Sequence, residues 1–324
     1  MKYIEKAKLV TDEVAKVIIG KRECIDKIMA AVLAGGHVMI EDIPGVGKTT
    51  MALAFARAMN LKQNRVQFTP DVLPSDITGF SMYQKELGKF IYREGAVMCN
   101  LFLADEFNRT SPKTQSALLE VMEEGAVTVD GITHEVPSPF LVIATENPIG
   151  SAGTQMLPES QLDRFMISIV MGYPKKKDEI EILMEQSECR PLDYVQPVIR
   201  KEELQAMQEE VRQVFIHRAV YTYIVELSNQ TRENPLIELG LSTRGSLAVA
   251  AMVKANAYMN GRKYALPDDV VAVFGDVARH RLKLSAQARM NHVTVEEVIE
   301  TILKSVKKPR PEEKNGRIKH EGEK

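Results

Sequence analysis

The stretch Pro44-Gly45-Val46-Gly47-Lys48-Thr49-Thr50 decides the fold. It follows the short apolar run Val38-Met39-Ile40 and leads into a helix-like stretch from Thr49 to Met59. Phosphate oxygens need backbone N–H groups that close around them, and glycine permits the backbone shape this takes. The start of the following helix adds the positive end of its dipole. Pro44, Gly45, Val46, Gly47 and Thr50 then form the cradle. Lys48 reaches the β- and γ-phosphates, and the Thr49 hydroxyl ligates Mg²⁺. The first glycine of the usual G-x-x-x-x-G-K-[ST] pattern falls at Asp42, a residue that tolerates turn conformations. The alternative is a surface Gly-Lys-Thr turn with no ligand. The strand before it and the helix after it favour the phosphate loop.

Outward from this loop the chain repeats the same rhythm. Short apolar runs at Val66 to Thr69, Leu101 to Ala104, Phe140 to Thr145 and Met166 to Met171 alternate with helical patterns. That order predicts a mostly parallel sheet covered by helices on both faces. The third strand ends in Asp105-Glu106, in the crevice where open α/β sheets bind ligands. Asp105 is placed to hold Mg²⁺, which takes few carboxylates and keeps its waters. Glu106 is placed to polarise an attacking water. The fourth strand leads into Glu146-Asn147-Pro148. Asn147 either orients that water against the γ-phosphate or simply opens an Asn-Pro turn. Ser111-Pro112 starts a helix with the stripe Ala117, Leu118, Val121 and Met122, and Gly125 stops it. Two stretches break the rhythm as hairpins: Ser81 to Arg93, turning at Leu87-Gly88, and Val127 to Thr133, turning at Asp130-Gly131.

Gly172-Tyr173-Pro174 closes this first domain, residues 1–174. Beyond it strand signals fade. Lys201 to Gln213, Ala219 to Gln230, Ser242 to Met259, Pro267 to Leu282 and Val295 to Val306 read as helices, giving a helical domain over 175–306. Residues 307–324 are charged and nearly free of large apolar side chains, as expected of a flexible tail. The 324 residues carry a formal net charge of -2, which exerts no global pull on nucleic acid or anionic membrane. Three scattered cysteines, Cys24, Cys99 and Cys189, form no CxxC pair and argue against a disulfide framework or structural zinc. No secretory signal and no spanning helix is visible, so a cytoplasmic protein is expected.

An arginine aimed at the equatorial phosphate oxygens stabilises phosphoryl transfer. Arg164, just before the last core strand, and Arg244, at the start of a long helix of the second domain, are candidates. Spacing does not separate them from surface ion-pair arginines, for example Arg164 with Asp163.

The set of motifs resembles one family. Ile18-Ile19-Gly20-Lys21, Glu41 to Thr49, Gln67 to Gly79, Leu103 to Arg109, Pro112 to Glu120, Ala144 to Pro148 and Leu162 to Phe165 are similar to MoxR AAA+ ATPases, over about residues 10 to 300. The resemblance implies an α/β P-loop NTPase (AAA+) core with two β-hairpin insertions, a C-terminal helical lid, and ATP with Mg²⁺ in the cleft between them. It implies a homo-oligomeric ring, usually of six subunits, with ATP at the interfaces. It assigns Gly20 to a turn near the adenine, Asn147 to sensor 1, Arg244 to the lid's sensor 2, and Arg164 to a finger offered to the neighbouring subunit. Asp42 for glycine and Glu146 for the more usual glutamine are departures that leave ATP binding intact.

The resemblance further implies ATP-driven remodelling or maturation of client proteins, with a von Willebrand factor A domain protein as partner, or metal insertion. Two other classes compete. A nucleic-acid motor of the same clade would want strongly basic hairpins, yet Ser81 to Arg93 carries Lys85, Lys89 and Arg93 against Glu86, and Val127 to Val136 carries Asp130 and Glu135 and no lysine or arginine. A non-hydrolysing ATP switch would not need Glu106.

Overall fold

A computed structural model describes residues 3–43, 45–147, 157–185 and 191–309. The first half runs α1 (Ile4–Ala15), α2 (Arg22–Leu33), β1 (Val38–Glu41), α3 (Lys48–Ala58), β2 (Gln63–Gln67) and α4 (Pro74–Thr78). It continues through the hairpin strands β3 (Gly79–Gln84) and β4 (Lys89–Glu94), then β5 (Leu101–Asp105) and α5 (Pro112–Glu124). A second hairpin, β6 (Ala126–Val129) and β7 (Ile132–Glu135), precedes β8 (Leu141–Glu146), α6 (Glu159–Leu162) and β9 (Ile167–Ile169). The second half holds α7 (Lys176–Glu185), α8 (Lys201–Arg212), α9 (Arg218–Glu233), β10 (Ile237–Leu239) and α10 (Thr243–Met259). It ends with α11 (Pro267–Ala278), β11 (Lys283–Leu284), α12 (Ala286–Met290) and α13 (Val295–Ser305).

Five strands form one parallel sheet in the order β2-β5-β8-β1-β9. Period-2 alternation sorts its side chains between two buried layers. Val38, Ile40, Leu101, Leu103, Leu141 and Ile143 face the layer of α1 to α3. Met39, Phe102, Ala104, Val142 and Ala144 face the layer built on α5 and the aromatics Phe68, Phe107 and Phe165. A sheet buried on both faces explains why these strands read as continuous apolar runs. The exception is β2, which covers Gln63–Gln67 and not Val66 to Thr69. It is the sheet edge, alternately exposed and half-buried, so its polar residues hid it from an apolar-run reading.

Local chemistry sets the helix ends. The Ser111 hydroxyl accepts from the Thr114 backbone N–H, Pro112 takes the first helical position, and Gly125 ends α5 with φ +64°. Asp130 and Gly131 both have positive φ, as a two-residue hairpin turn requires.

Beyond residue 174 the chain is mostly helical but not wholly. β10 and β11 pair antiparallel, and α11 stops at Ala278 rather than Leu282. The residues after it leave the helix because His280 and Arg281 turn back to the Phe165 carbonyl. The sheet ends before this half begins, but the packing does not. Val198 N–H donates to the Ala58 carbonyl at 2.9 Å, Gln208 Nε2 to Val32 at 2.8 Å, and one apolar cluster runs from α2 and α3 into α8, α10 and α11. No helix among the described residues is long and apolar enough to cross a membrane. Of the expected tail, residues 310–324 lie outside the described residues, as do Pro44 and Cys189.

Candidate nucleotide site

The C-terminal ends of β1, β8 and β5 lie side by side, and their last residues meet the phosphate loop. Gly45 and Gly47 adopt φ +86° and +91°, a region other residues rarely enter, so the backbone can turn into α3. Asp42, at the position of the usual first glycine, ties the loop down. Its carboxylate accepts from the backbone N–H of Ile43 at 2.8 Å and from that of Gly172.

Lys48 is buried, and its ammonium donates to the Asp42 carbonyl, to the Glu146 carbonyl at 2.9 Å and to Asn147 Oδ1 at 2.9 Å. Burial pulls its pKa below the usual lysine range against the opposing pull of Asp42, Asp105, Glu106 and Glu146. Thr49 Oγ1 donates to Asp105 Oδ2 at 3.0 Å, and Thr145 Oγ1 donates to Asp105 Oδ1 at 2.6 Å. Burial works to raise the Asp105 pKa, but hydrogen bonds from Thr145, Arg65 and Thr49 outweigh it and hold it low.

Glu106 sits in the left-handed region, φ +55°, a strained backbone for a side chain of its size. Its N–H donates to Thr145 Oγ1 at 2.9 Å, and its carboxylate accepts from Asn147 Nδ2 at 3.0 Å and from Arg109 at 2.6 Å. Burial opposes, yet Arg109 and Asn147 keep it ionised below the usual glutamate range. Asn147 therefore bridges Lys48 and Glu106 with its two amide ends. Gly45, Gly47, Lys48, Thr49, Thr50, Asp105, Glu106 and Asn147 line one cavity of about 380 Å³. Val46 is half-buried against the apolar core beside this cavity. Gly20 lies nearby: Ile18 approaches Gly47, and a Cβ on Gly20 (φ +72°) would run into the Asp178 carboxylate of α7.

Two residues of this cavity escaped the sequence reading. Arg65 and Gln67 line it from the edge strand β2. Arg65 donates to Asp105 Oδ2 at 2.7 and 3.1 Å, so a cation already stands against that carboxylate. The signal was polar alternation on β2, paired in register with β5. One carboxylate and one hydroxyl beside an open cavity fit Mg²⁺, which takes few protein ligands. Glu146 does not line this cavity, though it is close enough to feel Lys48. Burial, helped by the facing Glu41, pushes its carboxyl up to about 8.

Arg164 and Arg244 lie elsewhere. Both pair with the Glu123 carboxylate near the C-terminal end of α5, and Arg164 also donates to the Leu119 carbonyl at 3.1 Å. Asp163 does not pair with Arg164. It takes Arg281 at 2.7 Å and the Ser242 hydroxyl at 2.9 Å. Neither Arg164 nor Arg244 borders the phosphate cavity. The turn Phe107–Arg109 that precedes α5 touches the site, where Asn108 donates to the Asn147 carbonyl at 3.0 Å. Glu123 is twelve residues along from Ser111, about 18 Å at the helical rise of ~1.5 Å per residue. Arg244 thus stands at the C-terminal end of α5 and lines no part of the phosphate cavity. A larger groove of about 710 Å³ opens between α1, α2, α10 and α11 and shares no lining residue with the site. Several charges on its walls are paired, Arg22 with Asp26 and with Asp12 beside the groove, and Lys27 with Glu23 and Asp276.

Residues 37–167 match the model of the ATPase family associated with various cellular activities (AAA), and residues 229–302 match the AAA lid domain. The chain is 45% identical over 298 residues to the uncharacterized protein YeaC of Bacillus subtilis, covering 92% of this chain and 93% of that one. It is 38% identical over 306 residues to Chaperone MoxR1 of Mycobacterium tuberculosis (92% and 81% covered) and 27% identical to Protein MoxR of Methylorubrum extorquens (92% and 93%). The crystal structure of a proposed ATPase from Cytophaga hutchinsonii superposes with a TM-score of 0.88 at 37% identity, covering 95% of this chain and 96% of that one.

Proposed function

This chain belongs to the MoxR family of AAA+ ATPases, and from that premise we propose that it hydrolyses ATP at the β1–β8–β5 edge to remodel a client protein. The observation that carries the proposal is the hydrogen-bonded chain Lys48–Asn147–Glu106, with Thr49 and Asp105 beside it, around one cavity. Lys48 turns its protons from protein carbonyls to the β- and γ-phosphates when ATP enters. Thr49 and Asp105 would hold Mg²⁺, which neutralises phosphate charge there. Glu106, kept ionised, accepts hydrogen-bonding from the attacking water, and Asn147 fixes both partners in line. Arg164 and Arg244, which pair with Glu123 and line no part of this chain's own cavity, are assigned to the nucleotide of the adjacent subunit in a ring, probed first as a hexamer.

The client role is supported by the relative named a chaperone and by the hairpins. Tyr92 and His134 stack at 3.8 Å and join the two, while Phe80, Met82, Tyr83, Phe90 and Ile132 are exposed. Exposed apolar surface suits a protein partner better than nucleic acid. A von Willebrand factor A domain protein, in the cytoplasm, is the first partner to test. Phosphate release with MgATP tests the activity: wild type turns over, Lys48→Ala neither binds nor hydrolyses ATP, and Glu106→Gln binds without turnover. Wild-type release by either variant overturns the assignment, and binding without release by the wild type would favour a switch.

A further inference from the structure

We infer that Glu123 is a positioning residue: one carboxylate holds Arg164 and Arg244 as a pair, aimed together at the neighbour's nucleotide. The inference rests on the proposed assignment of both arginines to that nucleotide. The two arginines come from different parts of the chain, Arg164 from the turn before β9 and Arg244 from the first turn of α10. Each oxygen of Glu123 takes one of them.

Electrostatics explains why the three belong together. Two guanidiniums side by side repel, and burial together with the facing Arg244 presses Arg164 below the usual guanidinium range. A carboxylate between them, with Glu120 nearby, opposes that repulsion without abolishing it. Each charge is also badly placed on its own helix. Glu123 lies in the last turn of α5, at the negative end of the dipole, and Arg244 lies in the first turn of α10, at the positive end. The Glu123–Arg244 ion pair turns each of these charges toward an opposite charge carried by the other helix's end. The junction is fixed independently of these three side chains. Asp163, half-buried, pairs with the buried Arg281 and also accepts from Ser242, the cap of α10.

The hold is firm enough to order the pair and weak enough to release it. Glu123, Arg164 and Arg244 have side chains 38%, 29% and 47% exposed, a setting in which ion pairs are worth little. A polyphosphate with its higher charge can draw both arginines away. What Glu123 supplies is geometry: without it two long side chains must be ordered at the moment of reaction.

The test uses the full-length ring. Glu123→Gln should lower kcat on the order of ten- to a hundredfold, with unchanged affinity for a fluorescent ATP analogue and an unchanged melting temperature. Glu123→Asp, which keeps the charge, should recover part of the loss. In a double-mutant cycle with Arg244→Ala, the combined loss should be smaller than the product of the single losses, since both changes spoil the same pair. Wild-type kcat in Glu123→Gln, or losses that multiply, overturns the inference while leaving the arginines' role standing. Wild-type turnover in Arg164→Ala and Arg244→Ala removes the premise and the inference with it.

Discussion

Replacing Asn147 by alanine separates catalysis from support, because its amide joins the cation and the base of the site. Lys48 has three protons, and Asn147 Oδ1 takes one of them at 2.9 Å. Lys48 as a whole is only 7% exposed. Leaving one donor of a buried group unsatisfied costs about 1–3 kcal/mol. At about 2–4 °C per kcal/mol for a chain of this class, the melting temperature should fall by roughly 2–12 °C without nucleotide. Glu106 loses its partner at 3.0 Å but keeps Arg109 at 2.6 Å, so it stays ionised yet loses its aim. Removing one oriented polar group of this kind costs on the order of 10²–10³ in turnover. Differential scanning fluorimetry and phosphate release read the two effects separately. Asn147→Asp sharpens the test, since a carboxylate still satisfies Lys48 but repels Glu106. It should keep much of the stability and lose the turnover. If Asn147→Ala melts early yet turns over within about threefold of wild type, Asn147 is a strut and has no part in orienting the water.

Two further predictions concern the buried carboxyl and the hairpins. Glu146 holds its proton up to about 8 in the folded chain, against 4.5 for an ordinary glutamate. The stability this contributes is complete below the ordinary value and is lost as pH rises through about 8, because the folded state binds more protons in that window. Glu146→Gln should therefore melt several degrees above wild type at pH 9 and nearly with it at pH 5, and an equal gap at both pH values would contradict the assignment. Shortening the turn at Asp130 to Thr133 should leave basal phosphate release unchanged and abolish its stimulation by an identified client, and retained stimulation would remove this hairpin from the client surface.

The phosphate loop, the Asp105-Glu106 strand end and both hairpins were legible because each is a local pattern. Glycines, an apolar run and a turn dipeptide state their conformation over a few residues. β2 was misplaced because an edge strand is half-solvated and lacks the apolar run of its neighbours. Arg65 was missed for the same reason: it enters the site only through the register of β2 with β5. β10 and β11 were missed because they are three and two residues long, too short to show a period. The partners of Arg164 and Arg244 were not readable at all. Glu123 is 41 residues from one and 121 from the other, and only the tertiary fold brings their side chains to one carboxylate. Asp163, the neighbour in sequence, was the natural guess for Arg164, and it is taken by Arg281 from 118 residues away.

The central claim is that a working site is shared: pocket from one subunit, arginines from the next. Mixing two inactive variants tests it most directly. Lys48→Ala subunits have dead pockets and intact Arg164, and Arg164→Ala subunits have sound pockets and no finger. Each alone should bind or hydrolyse too poorly to release phosphate. In mixed rings some interfaces join a sound pocket to a sound Arg164, so phosphate release should return in part and should follow the mixing ratio. Mixed rings shown by mass to contain both variants, yet silent at every ratio, would contradict the shared site and leave Arg164 as an internal partner of Glu123.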